Sequence, residues 1–262
     1  MFSLYLECRQ EETDRLVAEL WERGSNGITE SGLPGGACTL RAFFEDDAEA
    51  PSLVRDFAAW SARCVPEEPR DWIAEARAKL EPMCIGARFF LVPEWRDDPT
   101  PPGRFRIEVN PGMAFGTGAH ESTQLCLEAL ERESLSGMTV LDVGAGSGIL
   151  SVASQLLGAR QVVACDTDPV AVELAKQPLS FVGTADAIRT RSIDLAVANI
   201  SPEAVIALTP ELVRVLRPGG VMIVSGFEIP EAPEVQAALE NLGATVQSSS
   251  SKGSWSALVA SI

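Results

Sequence analysis

Residues 138–150 read M-T-V-L-D-V-G-A-G-S-G-I-L, an apolar segment that runs into three glycines at alternate positions. The run Thr139–Val143 carries β-branched residues suited to a strand buried on both faces. Gly144, Gly146 and Gly148 permit a tight turn and close approach of a ligand to the backbone before a predicted helix begins at Ile149. The next predicted strand, Gln161–Asp166, ends in a carboxylate about 20 positions further on, where an α/β nucleotide fold sets an acid against the hydroxyl pair of a ribose. Glycines this dense weaken a strand–helix junction unless something must approach the backbone. A nucleotide-sized ligand therefore accounts for them better than a bare turn.

Downstream, strands and helices alternate. Pro169 opens a short helix with Asp168 as its N-cap, Pro178 stops it, and a third strand at 179–184 is followed by Asp186. Ile193–Ala198 is a fourth strand with Asn199 at its end, Glu203–Leu216 a helix closed by R-P-G-G, and Val221–Gly226 a fifth strand. A helix at 233–242 precedes two strands, 244–248 and 255–260, parted only by a Ser/Gly-rich turn. This order predicts an α/β fold: a doubly wound, mostly parallel seven-stranded sheet with one reversed joint at its end. Ligands in such sheets bind beyond the carboxyl ends of the strands at the switch point, where Gly144, Asp166, Asp186 and Asn199 would converge.

Upstream, Phe2–Cys8 alternates as a strand, Thr13–Trp21 has helical spacing of its apolar residues, short strands at 27–31 and 38–44 flank L-P-G-G, and 51–60 is amphipathic. These elements predict a small α+β domain of ferredoxin-like character over residues 1–64. No catalytic constellation falls within it, which leaves holding a partner as its task. A charged linker becoming a helix is expected over 65–88, and a larger domain over 89–262. Before the central motif, N-P-G-M-A-F-G-T-G-A-H-E-S-T occupies 110–123. An aromatic, a histidine, three glycines and several hydroxyls in one loop exceed what a turn needs.

The composition restricts function. Lys and Arg number 21 against 37 Asp and Glu, a formal net charge of −16, which argues against the basic footprint of a direct nucleic-acid binder. Cys8, Cys38, Cys64, Cys84, Cys126 and Cys165 form no C-x-x-C pair and His120 is the one histidine, so no metal site is expected. The opening M-F-S-L-Y-L-E-C-R has no basic lead, and no apolar run reaches membrane-spanning length. A cytoplasmic protein with reduced thiols, without membrane contact and working as a monomer, is the expectation.

The glycine spacing is G-x-G-x-G, whereas a pyrophosphate fingerprint requires G-x-G-x-x-G. With Asp142 two residues ahead of it, the pattern resembles the first motif of class I S-adenosylmethionine-dependent methyltransferases. Most of the chain resembles the PrmA family, which methylates a protein of the large ribosomal subunit, and its loop at 110–123 is similar to the family's D-P-G-x-A-F-G-T-G-x-H-x-T-T. Asn110 stands for the usual aspartate and Ser122 for the first threonine. The connection between the second and third strands is shorter than the family's, and its E-N-A-x-x-N-G signature is missing after Lys176. The resemblance implies that Phe115, Gly116, Thr117, Gly144, Gly146, Gly148 and Asn199 line the S-adenosyl-L-methionine site, with Asp166 on the ribose and Asp186 near the adenine. It further implies that His120 and Thr123 stand beside the reacting centre and Asn199 next to the incoming amine.

The implied reaction is methyl transfer to lysine or N-terminal amines of a ribosomal large-subunit protein. A different protein, a small amine, or a silent cofactor-binding homologue are the alternatives. His120 can accept a proton or only fasten its loop. Asp142 can touch the cofactor's amino group or tie the glycine turn. Trp255 reads as core.

Overall fold

A computed structural model describes residues 1–33, 37–45, 47–67, 80–110, 118, 120–175 and 177–262, without the side chains of Leu33 and Asp47. The chain divides into two compact units, Met1–Lys79 and Leu80–Ile262.

The first unit is built as β1 (Phe2–Arg9), α1 (Thr13–Glu22), β2 (Gly27–Leu33), β3 (Ala37–Phe44), α2 (Ala50–Asp56) and β4 (Arg63–Pro66). The strands form an antiparallel sheet in the order β2-β3-β1-β4. Strict alternation in β3 sends Cys38, Leu40, Ala42 and Phe44 inward, where they meet Leu4, Leu6, Leu16, Leu20, Leu53 and Phe57. The fourth strand, R-C-V-P, straddles the expected boundary between the small domain and the linker at 64/65, where the sequence predicts no strand. It pairs Phe2 with Pro66 and Tyr5 with Arg63 at a sheet edge, a position where a proline is tolerated. The helix expected within 65–88 falls largely on residues 68–79, outside the described residues. The described end of that span is a strand, β5 (Met83–Ile85).

In the second unit β5, β6 (Phe89–Pro93) and β7 (Phe105–Val109) make a three-stranded sheet. The main sheet contains β8 (Thr139–Val143), β9 (Gln161–Asp166), β10 (Ser180–Val182), β11 (Ile193–Asn199), β12 (Leu216–Glu228), β13 (Thr245–Lys252) and β14 (Trp255–Ser261). Their order is β10-β9-β8-β11-β12-β14-β13, and β14 runs antiparallel to both neighbours. The expected seven-stranded, mostly parallel sheet is present. Helix α3 (Glu121–Leu130) leads from β7 into β8, and α4 (Ile149–Leu156), α5 (Pro169–Ala175), α6 (Pro202–Val215) and α7 (Ala232–Asn241) connect the strands of the main sheet.

Period-two alternation divides the apolar strand residues between two cores. Val140, Leu195, Val197 and Ile223 face one side, with Leu127, Leu130, Leu150 and Ala153. Leu141, Val143, Ala196, Ala198, Met222 and Val224 face the other, with Val205, Leu212 and Leu239. Burial on both faces fixes the register, because a slip by one residue would exchange the two sets. β12 begins earlier than R-P-G-G predicts: Leu216 pairs with Ile193, the register shifts across the two glycines, and pairing resumes at Val221 with Leu195. Among the described residues no helix is long and apolar enough to cross a membrane.

Candidate active site

Strand order reverses between β8 and β11, and a cavity of 380 Å³ opens beyond their carboxyl ends. That volume falls in the range of about 300–1,000 Å³ usual for small-molecule sites. The glycine turn forms its floor. Gly144 and Ala145 donate their N–H groups to the Cys165 carbonyl at 2.8 and 3.1 Å, tying the turn to β9, and Gly148 N–H closes it on the Ala145 carbonyl at 2.8 Å. The three glycines have φ of +70°, +52° and +77°, a region that L side chains rarely enter. A Cβ on Gly144 would overlap Ile200 Cγ2, and one on Gly148 would lie 2.9 Å from the Ala175 carbonyl.

Asp166 is held at the rim. Its Oδ2 accepts the Gly146 N–H at 2.9 Å and its Oδ1 the Asp168 N–H at 3.0 Å. Asp168 in turn caps α5 by accepting the Val170 N–H at 2.8 Å. Both Asp166 oxygens keep lone pairs, so an exposed diol can still donate to them. The opposite wall comes from the end of β11. Asn199 Nδ2 donates to Thr123 Oγ1 at 3.1 Å, which joins two residues from distant parts of the chain at the edge of the cavity. Ile149, Leu150, Ile200 and Leu208 supply the apolar lining.

Of the residues singled out from sequence, Thr123, Gly144, Gly146, Asp166 and Asn199 line the cavity together. Phe115, Gly116 and Thr117 lie outside the described residues. Gly148 sits behind the cavity as the first residue before α4. Asp186 does not line it: its carboxylate accepts the Thr184 hydroxyl, which keeps it below the ordinary carboxylate range, and it stays exposed while Gly183 and Thr184 make that wall. His120 also stands outside the lining. It caps α3 in extended conformation, with Nδ1 2.7 Å from Ser122 Oγ. Trp255 is half-buried, not core, because it begins β14 beside the hairpin turn and meets the His120 ring edge-on at 4.4 Å.

Asp142 lies beneath the turn with no exposed surface. Ser151 Oγ donates to its Oδ2 at 2.7 Å while Oδ1 has no partner among the described residues, and burial raises its pKa to about 6 against the opposing Ser151 bond. It ties the turn to α4 and does not line the cavity. Cys126 and Cys165 are pushed up to about 12, chiefly by burial, and hold inert thiols. Among the described residues no cluster of side chains is arranged to hold a metal ion.

Gly183, Thr184, Ile200 and Ser201 are lining residues that the sequence does not single out. Ser201 had a legible signal: S-P at 201–202 is an N-cap followed by a helix-starting proline, and its Oγ accepts the Ala204 N–H at 3.3 Å. Gly226 also contributes from behind. Its φ is +98°, and a Cβ there would overlap the Ile200 carbonyl, so the residue after Asn199 keeps its place only against a glycine.

The cavity fits an adenosyl group with an amino-acid tail: a ribose-competent carboxylate, glycines that admit a ligand to the backbone, and apolar walls. This sheet order with this site defines a class I S-adenosylmethionine-dependent methyltransferase. The family described as Ribosomal protein L11 methyltransferase (PrmA) matches residues 30–262, and the chain belongs to that family. It is similar to the ribosomal protein L11 methyltransferase of Deinococcus radiodurans, with 33% identity over 261 residues covering 92% of each chain. The Pseudomonas aeruginosa protein of that name is 37% identical over 214 residues, covering 76% of this chain and 72% of its own. A crystal structure of ribosomal protein L11 methylase from Lactobacillus delbrueckii subsp. bulgaricus superposes with a TM-score of 0.64 at 31% identity, over 69% of this chain and 98% of that one.

Proposed function

We propose that this chain transfers methyl groups to lysine or N-terminal amines of ribosomal protein L11, with Asn199 and Thr123 orienting the amine. The Asn199–Thr123 hydrogen bond at the edge of the cofactor cavity carries the proposal. S-adenosylmethionine supplies an electrophilic methyl group on a sulfonium. The protein must then hold a neutral amine in line with it, and alignment of this kind is worth about 7–11 kcal/mol of the barrier.

A lysine amine has an ordinary pKa of about 10.4, so the pocket has to favour the uncharged form. The apolar lining from Ile149, Ile200 and Leu208 does this by disfavouring an ammonium ion, and a nearby sulfonium charge adds to it. Asn199 Nδ2 is committed to Thr123, while Asn199 Oδ1 has no partner among the described residues. That oxygen accepts an amine N–H and turns the nitrogen lone pair toward the methyl carbon. His120 is a positioning residue in this scheme. Its Nδ1 is engaged by Ser122 and its ring rests on Trp255, so it fastens the start of α3 and thereby Thr123.

Gly144, Gly146 and Asp166 hold the cofactor, and the first unit holds the protein substrate. All six cysteines are free, which supports a cytoplasmic setting. Incubation of large-subunit ribosomal proteins with methyl-labelled S-adenosylmethionine tests the substrate. Label is expected on L11; label confined to other proteins would give this chain a different substrate.

A further inference from the structure

We propose that a second ligand site, for a phosphate-bearing anion, lies at the amino edge of the main sheet. A depression of 330 Å³ opens there, and Arg160, Arg189 and Arg217 line it with Thr139, Gln161 and Ser192. No carboxylate lines it, in a chain with 37 acidic residues against 21 basic ones. One acid reaches this edge: Asp194 accepts from Arg217 and from the Thr139 N–H at 2.8 Å, while Arg160 and Arg189 face no carboxylate among the described residues.

Two of the three guanidiniums are already held in place. Arg160 donates from Nη2 to Thr139 Oγ1 at 2.7 Å and from Nε to the Gly137 carbonyl at 3.3 Å. Neither acceptor is an anion, so its positive charge is not neutralised. Arg217 donates from Nη1 to Asp194 Oδ1 at 2.5 Å, a half-exposed pair that leaves its other N–H groups available. The Arg189 side chain has no partner among the described residues. Its main chain is nonetheless fixed, because Ser192 Oγ donates to the Arg189 carbonyl at 2.6 Å and Arg191 N–H to the Arg214 carbonyl at 3.0 Å. Arg191 has a φ of +52°, which turns the chain tightly between those two anchors.

Planar guanidiniums lining one depression suit the several oxygens of a phosphate, which accepts paired N–H groups from more than one fork. The Thr139 hydroxyl, which only accepts from Arg160, and the Gln161 amide add neutral donors. The site is separate from the cofactor cavity. Thr139 and Gln161 open β8 and β9, strands that end at Val143 and Asp166 beside the glycine turn. At about 3.3 Å per residue the two ligand sites stand about 15–20 Å apart along the strands, so both can be filled together.

Two sources carry this chemistry: a small phosphate compound and the backbone of an RNA. The test measures thermal unfolding and binding of the full chain with inorganic phosphate and, separately, with a short single-stranded oligoribonucleotide, at ionic strength matched with sodium chloride. Wild type should be stabilised by at least one of them beyond the chloride control, and Arg189→Glu should weaken that binding by about tenfold or more. S-adenosylmethionine binding should be the same in both. Response to phosphate identifies a small-anion site, and response to the oligonucleotide alone identifies a nucleic-acid backbone. Arg189→Gln, which removes the charge without reversing it, gives the same comparison if the glutamate variant unfolds. No response to either probe beyond chloride, or undiminished binding by the Arg189 variants, overturns the site.

Discussion

Asn199 and Thr123 stand 76 positions apart and meet through one hydrogen bond of 3.1 Å. If Asn199 Oδ1 orients the amine, Asn199→Ala should lower the methyl-transfer rate about a hundredfold while cofactor affinity changes little. Steady-state kinetics with a parallel cofactor titration checks this, and an unchanged rate would remove Asn199 from the reaction. Asp142 gives a second prediction. Its pKa rises from the ordinary 3.8 to about 6 in the folded chain, so the folded form retains a proton that the unfolded form releases. Its contribution to stability is complete below about pH 4 and is lost as pH rises through about 6, a loss of about 3 kcal/mol. Asp142→Asn removes this dependence. Urea unfolding of the two proteins should show the variant gaining up to about 3 kcal/mol relative to wild type between pH 4 and pH 7, and a constant offset would mean that the carboxyl titrates normally. Local signals made these residues visible in sequence: Asp142, Asp166 and Asn199 each sit in or at the end of an apolar run. The Trp255 ring contact with His120 was not visible, because hairpin pairing far along the chain brings it there.

The elements of the main sheet were legible where burial is two-sided. β8 and β9 read as mainly apolar runs, broken in β8 only by Asp142, and β9 has the bounds its sequence predicts. β4 and β5 were not, since four and three residues beside prolines carry too little periodicity to separate a strand from a linker. The early start of β12 was hidden as well, because R-P-G-G is also a helix-stop signal and only the partner strand β11 decides the pairing. The turn between β11 and α6 depends on an element distant in sequence. Gly226 on β12 leaves room for the Ile200 backbone, and an added methyl group would force that backbone, with Asn199 next to it, to shift. Gly226→Ala should therefore destabilise the fold by about 1–3 kcal/mol and weaken activity even though residue 226 does not line the cavity. Chemical denaturation together with a rate measurement checks both effects; full activity would show that the turn tolerates the shift.

For the whole molecule, sheet order explains how one site draws on residues so far apart in sequence. The strand order reverses between β8 and β11, so the glycine turn, Asp166 on β9 and Asn199 on β11 open into one cavity without any long loop crossing the sheet. The doubly wound class was legible from the alternation of strands and helices, and the family from the loop at 110–123 with the glycine motif. The Gly183–Thr184 wall was not, because the strand before it, Ser180–Val182, is too short for periodicity to place its end. The central claim is that the turn Gly144–Gly148 forms the cofactor site. Its most direct test is a calorimetric titration of S-adenosylmethionine into wild type and into Gly146→Val, whose branched side chain would have to adopt a φ of +52° beside Asp166. Saturable binding by wild type and none by a variant that still unfolds cooperatively is the expected result; equal affinity in the two proteins would contradict it.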